Sequence, residues 1–240
     1  MSNDFEIPAG VRLYIIGDIH GCSDLLDQMV EVIHRDIEKH GWRESLTITL
    51  GDYVDRGPDS RGVLERLVRN PFSSRYIALK GNHEVLFESF MRDGSDADIW
   101  LQFGGLETLH SYGVPVSEVM VGKGTKEAAR ALNLVVPKVH RAFLSSLKNN
   151  ISINSYFFCH AGVRPNVPLD RQNENDLFWI RDEFLTSDND FGKMIIHGHT
   201  PHEWPEVKRN RVNIDTGAFA TGRLTCLVIE DGRGRFLFTA

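Results

Sequence analysis

Cysteine is scarce in this chain of 240 residues: Cys22, Cys159 and Cys226 are the only thiols, and none is in a Cys-x-x-Cys pair. A disulfide framework is therefore not expected, and a reducing compartment is. Long apolar runs are missing too. None approaches the roughly 18 residues that a membrane span needs. The opening Met-Ser-Asn-Asp-Phe-Glu is polar and acidic, without the charged-then-apolar order of an export signal. A cytoplasmic location with no membrane partner is the expectation. Positive charge is in deficit, with 27 Lys and Arg against 33 Asp and Glu and a net charge of −6. Nucleic-acid binders that grip the phosphate backbone are usually basic, so no nucleic-acid partner is expected. A local basic patch around an anionic substrate stays compatible with that balance. Internal repeats, low-complexity tracts and linkers are also absent.

What is present is a full complement of core-forming residues: 41% hydrophobic, with 14 Phe and 4 Trp. This length suits one large domain, 1–240, better than two. Residues 11–17 read as a first strand, and 46–50 and 75–80 as the second and third. Helices are predicted from Ser23 to about His40, over 60–69, and from Val85 to about Arg92, by apolar spacing and by stop signals at Gly41 and Asn70-Pro71. This β–α rhythm predicts a largely parallel sheet. The segment 93–124, rich in Gly and carrying Trp100, Phe103 and Tyr112, is less legible. Helices near 125–133 and 137–148 follow. Strands are then predicted at 151–154, 156–159, 193–197, 211–215, 223–230 and 235–239. A hairpin at Asp231-Gly232-Arg233-Gly234 joins the last two. The expected fold class is α/β, with two sheets packed together and helices outside.

Five short runs of metal-ligand chemistry each follow an apolar, strand-like stretch. They are Gly17-Asp18-Ile19-His20-Gly21, Gly51-Asp52-Tyr53-Val54-Asp55-Arg56-Gly57, Gly81-Asn82-His83-Glu84, His160-Ala161-Gly162 and His197-Gly198-His199-Thr200. Open α/β sheets place their sites outside the carboxyl ends of strands. Asp18 and His20 are two apart, and in extended backbone such residues point the same way. The carboxylate of Asp52 has two oxygens able to bridge two cations, Asn82 offers an amide oxygen, and His160 and His199 offer imidazoles. This O/N mixture suits Mn, Fe, Zn or Co better than Mg or Ca. Six protein ligands exceed what one ion needs, so two divalent ions are expected. Arg56 and Arg181 have the planar fork that suits phosphate. His83 is placed to donate a proton to a leaving oxygen, with Asp55 orienting it. Each residue also has a plainer reading. Asp55 and Arg56 would make a turn salt bridge, Arg181 a surface cation and His197 a structural group. Glu84 is balanced between capping the following helix and a polar role at the site. Cys22 and Cys159 are read as small buried thiols.

Together these motifs resemble the phosphoprotein phosphatase family of calcineurin-like metallophosphoesterases, in its short bacterial form. The pattern runs from about residue 12 to 222, with Trp-Ile-Arg-Asp-Glu-Phe-Leu and His-Gly-His-Thr-Pro typical of that form. The resemblance implies a calcineurin-like sandwich of two mixed β-sheets flanked by helices. It implies Asp18 and His20 on one metal, Asp52 bridging, and Asn82, His160 and His199 on the other, commonly Mn or Fe/Zn. It further implies His83 as general acid assisted by Asp55, and Arg56, Arg181 and Asn82 at the substrate phosphate. The implied reaction is hydrolysis of phosphomonoesters on Ser, Thr or Tyr by a metal-bridging water, in a monomer acting on a phosphorylated protein or peptide. His160-Ala161-Gly162 departs from the eukaryotic His-Gly-Gly, and Asp215-Thr216-Gly217 matches the short forms without an assignable role. The alternative is symmetrical hydrolysis of dinucleoside polyphosphates such as diadenosine tetraphosphate. Enzymes of that kind tend to carry Ala in place of Asp55 and Asp in place of Glu84. A remoter alternative is an inactive metal-binding interaction protein.

Overall fold

The computed structural model describes residues 10–41 and 43–239, and the backbone of 4–5. The chain opens with β1 (Asp4–Phe5), β2 (Arg12–Ile16), α1 (Ser23–His40), β3 (Ser45–Thr49), α2 (Ser60–Val68), β4 (Arg75–Ala78) and α3 (Asn82–Asp93). The less legible middle is helical: α4 (Ala97–Trp100), a kinked turn over Leu101–Gly105, α5 (Leu106–Ser111) and α6 (Ser117–Met120). Then come α7 (Thr125–Val135), α8 (Lys138–Ser146), β5 (Asn150–Ile153) and β6 (Tyr156–Cys159). The rest is α9 (Glu174–Trp179), α10 (Asp182–Leu185), β7 (Met194–His197), β8 (Glu206–Val207), β9 (Arg211–Asn213), α11 (Ala218–Thr221), β10 (Thr225–Glu230) and β11 (Arg233–Phe238).

The strands form two mixed sheets, ordered β11-β10-β2-β3-β4 and β1-β5-β6-β7-β9-β8. Within them β2, β3 and β4 are parallel, as are β6, β7 and β9. Alternation along β2 shows how the layers are built. Leu13 and Ile15 join Ile48, Ile151, Phe158, Ile196 and Ile229 between the sheets. Tyr14 and Ile16 face the opposite way, into a cluster with Leu26, Met29, Leu64, Phe87 and Leu132 of the helices. A third cluster packs Phe157 and Ile195 against Leu177, Phe178 and Phe184. β2, β6 and β7 are buried on nearly their whole length and read as near-continuous apolar runs, whereas β3 alternates Leu46 and Ile48 with Ser and Thr.

Some boundaries move. The third helix starts at Asn82 rather than Val85, because Glu84 accepts the Gly81 N–H at 2.9 Å and so caps the first turn. The last hairpin is tighter than a four-residue turn. Asp231 and Gly232 alone make the loop, at φ 49° and 74°, and Arg233 already pairs with Glu230. The stretch between β6 and β7 holds α9, where the Asn173 side chain accepts the Asp176 N–H at 2.8 Å. All three cysteines are buried, and burial pushes Cys22 up to about 11. Among the described residues no helix is long and apolar enough to cross a membrane.

One ionic tie locks α1 to the first sheet. Arg235 donates to both oxygens of the buried Asp36 at 2.6 Å, and the Tyr14 hydroxyl donates at 2.8 Å. Burial pushes Asp36 up, but Arg235 and Tyr14 outweigh it and hold the carboxyl below its ordinary value. A depressed folded value stabilises above the unfolded value and is lost as pH falls through the folded one. We therefore expect Asp36→Asn to cost about 1–2 kcal/mol at pH 7, discounted because Arg235 is partly exposed. Urea unfolding at pH 7 and pH 3 should show the gap to wild type closing at the lower pH. A gap that stays constant would refute the assignment.

Candidate active site

The loops after β2, β3, β4, β6 and β7 are sewn into one another. Ile19 N and His20 N both donate to the Asp52 carbonyl, at 3.0 and 2.8 Å, and His199 N donates to Asp18 Oδ2 at 3.0 Å. Gly198 N donates to the His160 carbonyl at 2.8 Å. The turn that brings Ile19 and His20 onto Asp52 forces His20 into the left-handed region at φ 45°. Extended-strand alternation, the ground for expecting Asp18 and His20 on one face, therefore does not operate here. Asp52, Asp55, Arg56 and His199 are left-handed as well, at φ 53°, 71°, 67° and 66°. Strained backbone of this kind concentrates at functional sites.

Glu84 is the clamp that holds two of these loops together. Its two oxygens accept from Asp52 N and Tyr53 N at 2.8 Å and from Gly81 N at 2.9 Å. Capping and clamping account for both oxygens, so this residue serves the backbone. Burial first, and then the charge of Asp52, push its carboxyl up to about 7 against those donors. At Gly81 a Cβ would collide with Asp52 Oδ1, so the approach requires glycine.

Asp52 lies at the centre. Its Oδ2 is 3.5 Å from His20 Nε2 and 3.8 Å from His83 Nε2, and its Oδ1 is 3.3 Å from His160 Nε2. Burial raises its pKa, but His160, His83 and His20 overcome that and leave it well below the carboxylate range. Two groups that could each hold a metal ion therefore share Asp52: His20, Asp52 and His83, and Asp52, His160 and His199. Asn82 Oδ1 joins the second group, 2.9 Å from both His160 Nε2 and His199 Nδ1, which are themselves 3.2 Å apart.

The donor chemistry fits a cation. His20 Nδ1 and His160 Nδ1 lie 2.9 and 3.0 Å from the carbonyls of Val54 and Leu50, which can only accept. Each ring therefore donates there, and in the neutral ring Nε2 keeps a lone pair aimed at other acceptors. Buried Asp18 Oδ1, His20 Nε2 and His199 Nε2 have no hydrogen-bond partner. Burial, and then His83 and His160 respectively, hold His20 and His199 well below the ordinary histidine value, in the neutral ligating form. Burial, and then Asp215 and Asp52, push Asp18 well above the usual carboxylate range. Converging lone pairs and crowded carboxylates are relieved by positive charge. Asp18 itself stands beside Gly198 and His199 rather than within either three-residue group.

His83 is held differently. Its Nδ1 lies 2.7 Å from Asp55 Oδ2, while its buried Nε2 has no partner. Burial lowers its pKa, but Asp52 and Asp55 outweigh that and raise it above the ordinary value. Asp55 is itself fixed by Trp100 Nε1 at 2.9 Å and Thr108 Oγ1 at 2.6 Å.

The model of one protein family, described as calcineurin-like phosphoesterase, matches residues 11–223. This chain belongs to that family. Serine/threonine-protein phosphatase 1 of Salmonella typhimurium is 34% identical to this phosphoesterase over 224 residues, covering 91% of this chain and 92% of that protein. The asymmetrical bis(5'-nucleosyl)-tetraphosphatase PrpE of Bacillus thuringiensis is 28% identical over 241 residues, covering 89% and 88%. A solved cold-active protein tyrosine phosphatase shares the fold, with TM-score 0.63 over 99% of this chain and 81% of that one at 17% identity. The resemblance to short bacterial phosphatases read from the motifs is borne out, as is the two-sheet sandwich.

In this phosphoesterase the two arginines differ. Arg56 is half-buried, and its charge bears on Asp18, His20 and His83. Arg181 is exposed at the start of α10, near enough for its charge to depress His199. His197 stands apart from both ligand groups, edge-on to Phe184 at 4.9 Å, and burial lowers it to about 3. Trp100 and Thr108 were missed as functional residues. Trp100 had only its place in an aromatic cluster as a signal, and Thr108 had none. Asp215 is buried and accepts the Gly217 N–H at 2.9 Å, and its charge repels Asp18.

Glu84→Gln tests the clamp. A glutamine in either orientation turns an NH₂ against at least one backbone N–H. The expected cost is about 2–4 kcal/mol in urea unfolding at pH 8, where the wild-type group is ionised. Wild-type stability in the variant would show that the clamp carries no weight.

Proposed function

We propose that this phosphoesterase is a metal-dependent phosphoprotein phosphatase that hydrolyses phosphomonoesters on Ser, Thr or Tyr by direct attack of water. The observation that carries the reading is the free Nε2 of His83, backed by Asp55 at 2.7 Å and facing the carboxylate shared by two ligand groups. Asp18, His20 and Asp52 would hold one divalent ion. Asp52, Asn82, His160 and His199 would hold the other, with Mn or an Fe/Zn pair suiting the donors. When bound, such ions supply a water of lowered pKa and positive charge opposite the phosphate. Arg56 and Arg181 bind the non-bridging oxygens with their planar forks, beside Asn82. His83, as imidazolium, gives the Nε2 proton to the leaving oxygen as its bond to phosphorus breaks. Asp55 keeps Nδ1 protonated and the ring aimed, and Trp100 and Thr108 keep Asp55 in place.

The similarity to PrpE supports a second reading, cleavage of a dinucleoside tetraphosphate at the same site. That relative is named as asymmetrical, whereas symmetrical cleavage is the alternative weighed from the motifs. Asp55 and Glu84, both present here, favour the phosphoprotein over symmetrical cleavage and leave asymmetrical cleavage to the assay. Assays of the Mn²⁺-loaded protein on phosphopeptides and on diadenosine tetraphosphate decide between the two. Turnover of the nucleotide alone would reverse the preference.

His83→Asn should lower turnover of a phosphopeptide by about 10²–10⁴-fold with an unchanged circular dichroism spectrum. A loss under threefold would remove His83 from the role of acid. Mn²⁺ at about 100 times its Kd should stabilise the fold by about 2.7 kcal/mol per site. In a chain of this size each kcal/mol raises Tm by about 2–4 °C. Calorimetry should count two ions per wild-type chain, and Asp52→Asn should abolish the thermal shift. A single ion, or a shift that survives in Asp52→Asn, contradicts the shared carboxylate.

A further inference from the structure

Two aromatic side chains outside the five motif runs stand exposed at the mouth of the site. Phe103 is 39% exposed, and its ring lies 6.0 Å from that of His83 at 45°. Phe219 is 41% exposed and stands edge-on to His20 at 5.5 Å, with the Arg56 guanidinium carbon 4.9 Å from its ring centre. The two imidazoles between them are buried and 4.6 Å apart. A continuous row therefore runs Phe103, His83, His20, Phe219, with the solvent-facing rings at its ends. Single exposed apolar residues are ordinary, so exposure alone means nothing. Placement against the proton donor is the informative part.

Phe103 is held there by unusual backbone. It lies in the kinked turn Leu101–Gly105, where two helical stretches meet at a break in the backbone at Gly104. Gly104 sits at φ 100° and its carbonyl accepts the Arg56 N–H at 3.2 Å. A Cβ on Gly104 would collide with Arg56 N, so only glycine fits. Just before this turn, Trp100 is tied to Asp55. The turn is thus pinned at both ends to the Asp55-Arg56 strip that also orients His83.

We infer that Phe103 is a platform for the leaving group and biases the site toward aryl phosphates, phosphotyrosine in a protein or peptide, over phosphoserine and phosphothreonine. The inference rests on the phosphoprotein reading above, in which His83 Nε2 meets the leaving oxygen. In phosphotyrosine an aromatic ring begins one bond from that oxygen. Aromatic pairs associate at about 4.5–7 Å between centres, and Phe103 already stands in that range of the imidazole. In phosphoserine and phosphothreonine the same space holds an aliphatic carbon that gains nothing from a ring face. Phe219 has a different part: it holds Arg56 through the cation–π contact and so positions a phosphate ligand.

The test uses the Mn²⁺-loaded protein and two peptides that differ only in carrying phosphotyrosine or phosphothreonine. A phenolate leaves more easily than an alkoxide, so the wild-type preference is uninformative and the change in that preference is the readout. Phe103→Leu should lower kcat/KM for the phosphotyrosine peptide about five- to tenfold. The phosphothreonine peptide should change less than about twofold, and Phe103→Tyr should restore the wild-type ratio. An equal fall on both peptides, or no fall, overturns the platform alone. If the wild type turns over diadenosine tetraphosphate and neither peptide, the phosphoprotein reading fails first and this inference falls with it. A constant peptide ratio with a selective loss on the nucleotide would make Phe103 a nucleobase contact, which also overturns the aryl assignment.

Discussion

The carboxylate of Asp52 is buried with each oxygen turned to a different set of imidazoles, and the rest of the site is arranged around that fact. A buried charge is costly unless it is paired. Here the partners come from four separate strand ends: His20 after β2, His83 after β4, His160 after β6 and, through the second ligand group, His199 after β7. Asp18, Glu84 and Asp215 add further buried carboxyls, and all three are pushed upward by burial and by the charge of Asp52, Asp18 by that of Asp215 as well. Such a cluster carries more negative charge than its arginines offset. Divalent cations are the natural counterweight, in keeping with the family to which the chain belongs.

Holding these groups in place costs backbone strain. Five non-glycine residues of the site occupy the left-handed region, each at a cost of about 1–3 kcal/mol. The strain persists because the loops are over-determined. Asp52 is fixed through its own carbonyl, which takes two amides, and through its own amide, which goes to Glu84. Arg56 is fixed by Gly104, and His199 by Asp18. The resulting rigidity fits the demands of catalysis, because a ligand set that is already formed needs little reorganisation when charge develops on a substrate. The hydrophobic clusters on both faces of the sheets anchor the strands from which these loops spring.

Much of this was legible from residue order. The strands ahead of the five runs are short and rich in β-branched and aromatic residues, so they stood out, and the turn residues that close them are glycines or short polar side chains. The pairing of His83 with Asp55, 28 residues apart, was expected from side-chain chemistry together with the family resemblance. The middle of the chain was illegible because its helices are short and broken by glycine, with a kink at Gly104 that no simple period describes. Trp100 and Thr108 reach Asp55 from 45 and 53 residues away. Nothing local to either residue marks it for that task.

By itself the sequence determined which atoms are available: the carboxylates, imidazoles and amide of the ligand runs, the glycines that let the loops close, and the short β-prone strands that carry them. These are local properties, set by side-chain chemistry and by backbone preference over a few residues. The tertiary structure alone decided who meets whom. It set His20 by a left-handed turn rather than by strand alternation, gave Glu84 to the backbone of two loops, and put Phe103 and Phe219 at the ends of the imidazole row. The reason is physical. Neighbours across a site are chosen by strand order and sheet packing, which join residues distant in the chain, and no spacing within one segment encodes them.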